Sequence, residues 1–166
     1  MMNKNIVLIG MPGAGKSTLG VLLAKAMGKL FVDTDIIIQQ KTKRLLQDII
    51  DNDGTDEFLR LEEEILLTVN ENNTVIATGG SAVYSARAME HFSKNSTIVY
   101  LHVDLPEIEK RVTNITTRGI VLKNGRSLSD AYAERKPLYD KWADITINCT
   151  GSTIESSVKT LTEKLK

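Results

Sequence analysis

The chain has 166 residues, 21 lysines and arginines against 21 aspartates and glutamates, 42% hydrophobic residues and 25% charged ones. That length supports one domain, residues 1–166, the apolar share supports a packed core, and zero net charge argues against nucleic acid as a partner, because a polyanion needs clustered cations. No apolar run approaches the ~18 residues of a membrane span, and the lone Cys149 leaves no internal disulfide, so a cytoplasmic monomer is expected.

Short β-branched runs alternate with longer amphipathic stretches, the pattern of βαβ units around a parallel sheet. Residues 1–15 briefly imitate a secretory signal, but the apolar part is too short and Lys16 follows a glycine-rich turn rather than a cleavage site. Asn5–Ile9 reads as a buried first strand, since its apolar run is continuous. Gly10-Met11-Pro12-Gly13-Ala14-Gly15-Lys16-Ser17 then fits G-x-x-x-x-G-K-[ST] at every fixed position, between a strand and a helix over Ser17–Met27 whose apolar face is Leu19, Leu22, Leu23 and Ala26. Such a loop turns backbone N–H groups onto phosphate oxygens, and the helix start adds its positive dipole end. Lys16 is placed to reach the β- and γ-phosphates of a nucleoside triphosphate, and the Ser17 hydroxyl to ligate Mg²⁺.

Leu30–Val32 is a second strand, and Asp33-Thr34-Asp35 follows it where open α/β sheets place their ligand crevice. Two carboxylates at that spacing suit a metal shell and an acceptor hydroxyl; capping of the next helix is their structural alternative. Helices are expected over Ile36–Arg44, Leu45–Asp51 and Thr55–Asn70, a strand over Thr74–Thr78 running into Gly79-Gly80, and helix, strand and helix over Val83–Ser93, Thr97–Leu101 and Pro106–Thr113. Between 114 and 126 the periodicity fades, as in a mobile lid. Ser127–Ala143, Ile145–Asn148 and Ile154–Leu165 close the chain as helix, strand and helix. No N/T-K-x-D base-reading motif is present, and the length leaves little room for motor modules. From the residues alone, a small kinase and a nucleotide-binding module without turnover both remain open.

G-M-P-G-A-G-K-S, F-V-D-T-D, T-G-G-S-A-V and R-K-P-L-Y, in this order over nearly the whole chain, resemble the shikimate kinases. The resemblance implies a three-layer α/β P-loop kinase fold, with a five-stranded parallel sheet flanked by helices, and Mg²⁺·ATP-dependent phosphorylation of a ring hydroxyl. It implies that Gly13, Ala14, Gly15, Lys16, Ser17, Thr18, Arg111 and Arg118 bind ATP, with Arg111 against the adenine and Arg118 closing from the lid. Lys16, Asp33 and Arg118 would carry the catalysis, Ser17 and Asp33 would hold the metal, and Asp35, Gly79, Gly80 and Arg135 would bind the acceptor. Departures from the family pattern fall at Leu59, where it has a carboxylate-binding arginine, at Ser81 for a third glycine, at Gly119 for a proline, and at residues 148–152 for an acidic, proline-bearing loop. They leave a different polyol, sugar acid or hydroxy-amino acid as the alternative acceptor. Arg60, one position past Leu59, points about 100° away on a helix and is expected to pair with Glu63 or Glu64.

Overall fold

A computed structural model describes residues 4–113, 119–123 and 125–166. Five strands, β1 (Asn5–Ile9), β2 (Leu30–Asp33), β3 (Thr74–Ala77), β4 (Ser96–His102) and β5 (Ile145–Asn148), form one sheet in the order β2-β3-β1-β4-β5. Every pairing is parallel; Ile6 stands against Val75 on one side and Thr97 on the other. β1 is therefore central and buried at all five residues, which is why its sequence is apolar without alternation. The core runs through Val7, Leu8, Val75, Val99 and Leu101, all fully buried.

The helices are α1 (Lys16–Met27), α2 (Thr34–Thr42), α3 (Leu46–Asp53), α4 (Thr55–Leu66), α5 (Ala86–Ser93), α6 (Leu105–Arg111), α7 (Leu128–Trp142) and α8 (Ile154–Leu165). α1 buries Leu19, Gly20, Leu23 and Ala24, whereas Leu22 and Ala26, expected on its inner face, are exposed. Gly20 sets this orientation: a Cβ there would lie 2.7 Å from the Phe31 ring, so the helix seats on β2 along its smallest residue. α4 stops at Leu66 instead of Asn70. The Thr68 and Val69 amides turn back to the Ile65 and Leu66 carbonyls, and the Thr68 hydroxyl also bonds Ile65 O, which diverts the chain before β3. The expected helix over 83–93 is split: a 3₁₀ turn over Ala82–Tyr84 precedes α5, which Ser85 caps by accepting from the Ala88 amide.

A smaller apolar cluster of Ile38, Leu46, Ile49, Phe58, Ile65 and Val121 joins α2, α3 and α4 to the chain that leads into α7. Of the segment expected as a lid, 119–123 and 125–126 are described. Ile120 and Val121 are buried, the Gly119 N–H donates to Gln47 Oε1 at 3.1 Å, and Gly119 has φ +70°. A proline, with φ near −65° and no N–H, could adopt neither feature. Among the described residues no helix is long and apolar enough to cross a membrane.

Candidate active site

The sheet order reverses direction at β1, and the crevice opens beyond its C-terminal end, as the topology of open α/β sheets dictates. There the loop after Ile9 turns through Gly13 and Gly15, at φ 83° and 93°, into α1. The Lys16 ammonium donates to Gly10 O at 2.6 Å and Met11 O at 2.8 Å, which holds the side chain along the loop. Ala14 is buried under the turn, its N–H bonded to Met11 O, while Thr18 faces the cleft.

Asp33 ends β2 and performs two tasks. Oδ1 accepts from the Asp35 and Ile36 amides and caps α2; Oδ2 accepts the Ser17 hydroxyl at 2.6 Å. The hydroxyl and the carboxylate thus stand together at the loop mouth. Two hard oxygen donors that leave room for water and phosphate suit Mg²⁺, which would neutralise phosphate charge there. Asp35, one step further, lies inside the cleft; burial first, then the Asp33 charge, push its carboxyl up to about 6 against the pull of Lys16.

The cleft, of about 130 Å³, is lined by Pro12, Lys16 and Ser17, by Asp35, by Gly79 to Ser81 and by Arg135. Arg135 is 1% exposed, the largest fully buried side chain among the described residues. Its guanidinium donates to Tyr84 Oη through Nε and to Val121 O through Nη2, and lies 5.1 Å from the Tyr84 ring centroid. It makes no ion pair within 4 Å among the described residues; the neighbouring Lys136 takes Asp140, and Asp130 serves the α7 cap. A buried cation that lacks a carboxylate but lines a cleft is an anion site in waiting. Arg111 does not line the cleft: it donates to Gly13 O at 3.0 Å and pairs with Glu107 at 3.3 Å, which ties α6 to the phosphate loop. Arg118 lies outside the described residues. Arg60 is exposed and pairs with Glu57 and Glu64, and Leu59 packs against the smaller apolar cluster.

Two contributors carry no site role in the sequence reading, although Tyr139 ends the R-K-P-L-Y segment. Tyr139 donates to Gly80 O at 2.6 Å beneath the cleft floor. Glu62, buried on α4, accepts from Ser81 Oγ at 2.7 Å. Its signal was available: it sits four residues after Phe58 and four before Leu66, a carboxylate inside an apolar stripe.

A phosphate loop after the central strand, an acidic pair after the next, and a buried arginine across one cleft define a P-loop small-molecule kinase. A family model described as shikimate kinase matches residues 12–166. The shikimate kinase of Mycobacterium avium is 40% identical over 152 residues, 89% of this chain and 85% of that protein. The structure of the Acinetobacter baumannii shikimate kinase in complex with shikimate superposes with a TM-score of 0.88 at 29% identity, over 98% of this chain and 92% of that one. The Aquifex aeolicus shikimate kinase gives 0.82 at 28% identity, over 97% and 95%. The chain belongs to the shikimate kinase family.

Proposed function

We propose that this chain transfers the γ-phosphoryl group of ATP to a ring hydroxyl of shikimate, yielding shikimate 3-phosphate and ADP, and that it works as a cytoplasmic monomer, one kinase domain over 1–166 with its lid at 114–126. Gly13 to Thr18 receive the phosphates, with Lys16 drawn toward the β- and γ-oxygens; Ser17 and Asp33 hold Mg²⁺. Asp35 and the Gly79-Gly80 backbone orient the acceptor, and Asp33 stands closest to the reacting hydroxyl. That oxygen bonds to phosphorus as the bond to the ADP oxygen breaks, and its proton leaves toward the Asp33 carboxylate. Arg118 closes on the transferring phosphoryl group, which also excludes water as a competing acceptor. Arg111, whose side chain donates to Gly13 O, lies against the adenine.

The observation that carries this reading is Arg135, a buried guanidinium that lines the same cleft as Lys16 and has no ion-pair partner among the described residues, suited to a carboxylate that arrives with the acceptor. Leu59 favours a second reading, in which the acceptor is another hydroxylated acid, because that acid would meet one arginine rather than two. ADP release from Mg²⁺·ATP, measured across shikimate, gluconate, homoserine and threonine, decides. Turnover with shikimate at least tenfold above the other three is expected. Equal or better turnover with another acceptor would replace shikimate, and ATP binding without turnover on any of the four would leave a nucleotide-binding module.

A further inference from the structure

Neither the reaction nor the packing of α4 accounts for Glu62. It is 2% exposed, on the face of α4 that also buries Phe58, Ile65 and Leu66. Oε1 accepts from Ser81 Oγ, while Oε2, equally buried, has no hydrogen-bond partner among the described residues. A Cβ on Gly79 would lie 2.8 Å from Asp35 Oδ1 and 3.1 Å from Glu62 Oε2, so two carboxyl groups converge from α2 and α4 on one cleft-lining glycine. The groups that face Glu62 are Asp35 from α2, Arg135 and Tyr139 from α7, and the Ser81 hydroxyl. Burial pushes the Glu62 carboxyl up to about 7; the Ser81 hydrogen bond pulls it down, Asp35 raises it, and Arg135 lowers it least of all. A second ionised carboxylate here would be desolvated and repelled by Asp35 at once.

We propose that Glu62 is a positioning residue of the acceptor end of the cleft, held as the neutral acid: Oε1 anchors Ser81, and the protonated Oε2 braces Gly79 beside Asp35 without adding a second negative charge. The inference rests on the kinase reading above and deepens it. Glu62 does not touch the acceptor. It fixes the Gly79–Ser81 turn and the setting of Asp35, so its loss falls on the acceptor and not on ATP.

Glutamine keeps an Oε1 acceptor for Ser81 and a donor at the other position but cannot ionise, so it separates a neutral acid from a carboxylate. For Glu62→Ala and for Ser81→Ala, the shikimate KM is expected to rise about tenfold, the scale of one buried hydrogen bond, with the ATP KM within about twofold of the parent. The parent is expected to show a rise in acceptor KM above about pH 7, and Glu62→Gln to restore most of what alanine loses and to abolish that rise. An unchanged acceptor KM in both alanine variants overturns the positioning role. A glutamine variant as impaired as the alanine one overturns the neutral acid.

Thermal unfolding gives a readout that needs no substrate. A carboxyl raised in the folded state stabilises the fold below its unfolded value, and that stability is lost as pH rises through the folded one. The Tm of Glu62→Gln relative to the parent therefore climbs between about pH 5 and about pH 8. A flat difference overturns the proton on Glu62. If the parent fails to phosphorylate shikimate, the functional reading falls, while this pH-dependent difference still judges Glu62.

Discussion

Asp33 shows how one side chain resolves two readings that looked like rivals. Acidic residues favour helix starts, and Asp33 does cap α2 through Oδ1; its other oxygen is the one that meets Ser17. Because a carboxylate presents two oxygens, the cap aims the second at the phosphate loop and holds it there. Asn caps helices about as well as Asp but carries no charge. Asp33→Asn is therefore expected to keep its stability within about 0.5 kcal/mol in urea unfolding, while kcat falls on the order of 100-fold or more. A comparable loss of stability and of activity would make Asp33 a cap alone. Arg135 makes the same point from the other side. Two aspartates of the same helix, Asp130 and Asp140, could have paired with it, but both are engaged elsewhere, one at the α7 cap and one with Lys136.

The elements differ in how far they are self-contained. α7 carries Arg135 and Tyr139, yet Pro137 lies inside it and removes one intrahelical hydrogen bond. Its start is correspondingly well held: the Ser127 hydroxyl accepts from the Asp130 amide at 3.1 Å, and the Asp130 carboxylate accepts from the Ser127 amide at 2.9 Å. Ser127→Ala should cost about 1 kcal/mol in urea unfolding; a shift under about 0.3 kcal/mol would mean that packing alone holds the helix start. The same contrast explains what was legible beforehand. β1 was readable to the residue because a buried strand announces itself by composition over its own length, and β5, at the sheet edge, by alternation, with Ile147 buried between exposed Thr146 and Asn148. The phosphate loop was readable because each fixed position answers a local demand of phosphate binding. The inner face of α1 was not, since it depends on Phe31 from another strand approaching Gly20. The end of α4 and the break at Ser85 depend on single hydroxyls, Thr68 and Ser85, that capture backbone groups a periodicity count does not see. The place of Glu62 inside an apolar stripe was legible, but its role was not, because its partner Ser81 lies nineteen residues away.

At the scale of the whole molecule, zero net charge hides a division of space. Lys16, Asp35 and Arg135 line one cleft at the C-terminal edge of the sheet. Acidic and basic side chains elsewhere pair on the surface, as Arg44 does with Asp53 and Arg60 with Glu57 and Glu64, where such pairs add little. Nucleotide affinity is therefore expected to concentrate on the phosphate loop, and it can be read as stability of the entire fold. A ligand that binds only the folded state at 100 times its Kd adds about 2.7 kcal/mol, which for a domain of this size raises Tm by about 5–11 °C. Mg²⁺·ATP should produce that shift in the parent. In Lys16→Ala the fold should persist, because the bonds from Lys16 to Gly10 O and Met11 O belong to the loop rather than to the core. The phosphates, however, lose their one compact cation within the loop, so the shift should shrink to about 2 °C or less and turnover should disappear. A shift of full size in Lys16→Ala would place nucleotide recognition away from the loop, and the division of charge across the cleft would then need another purpose.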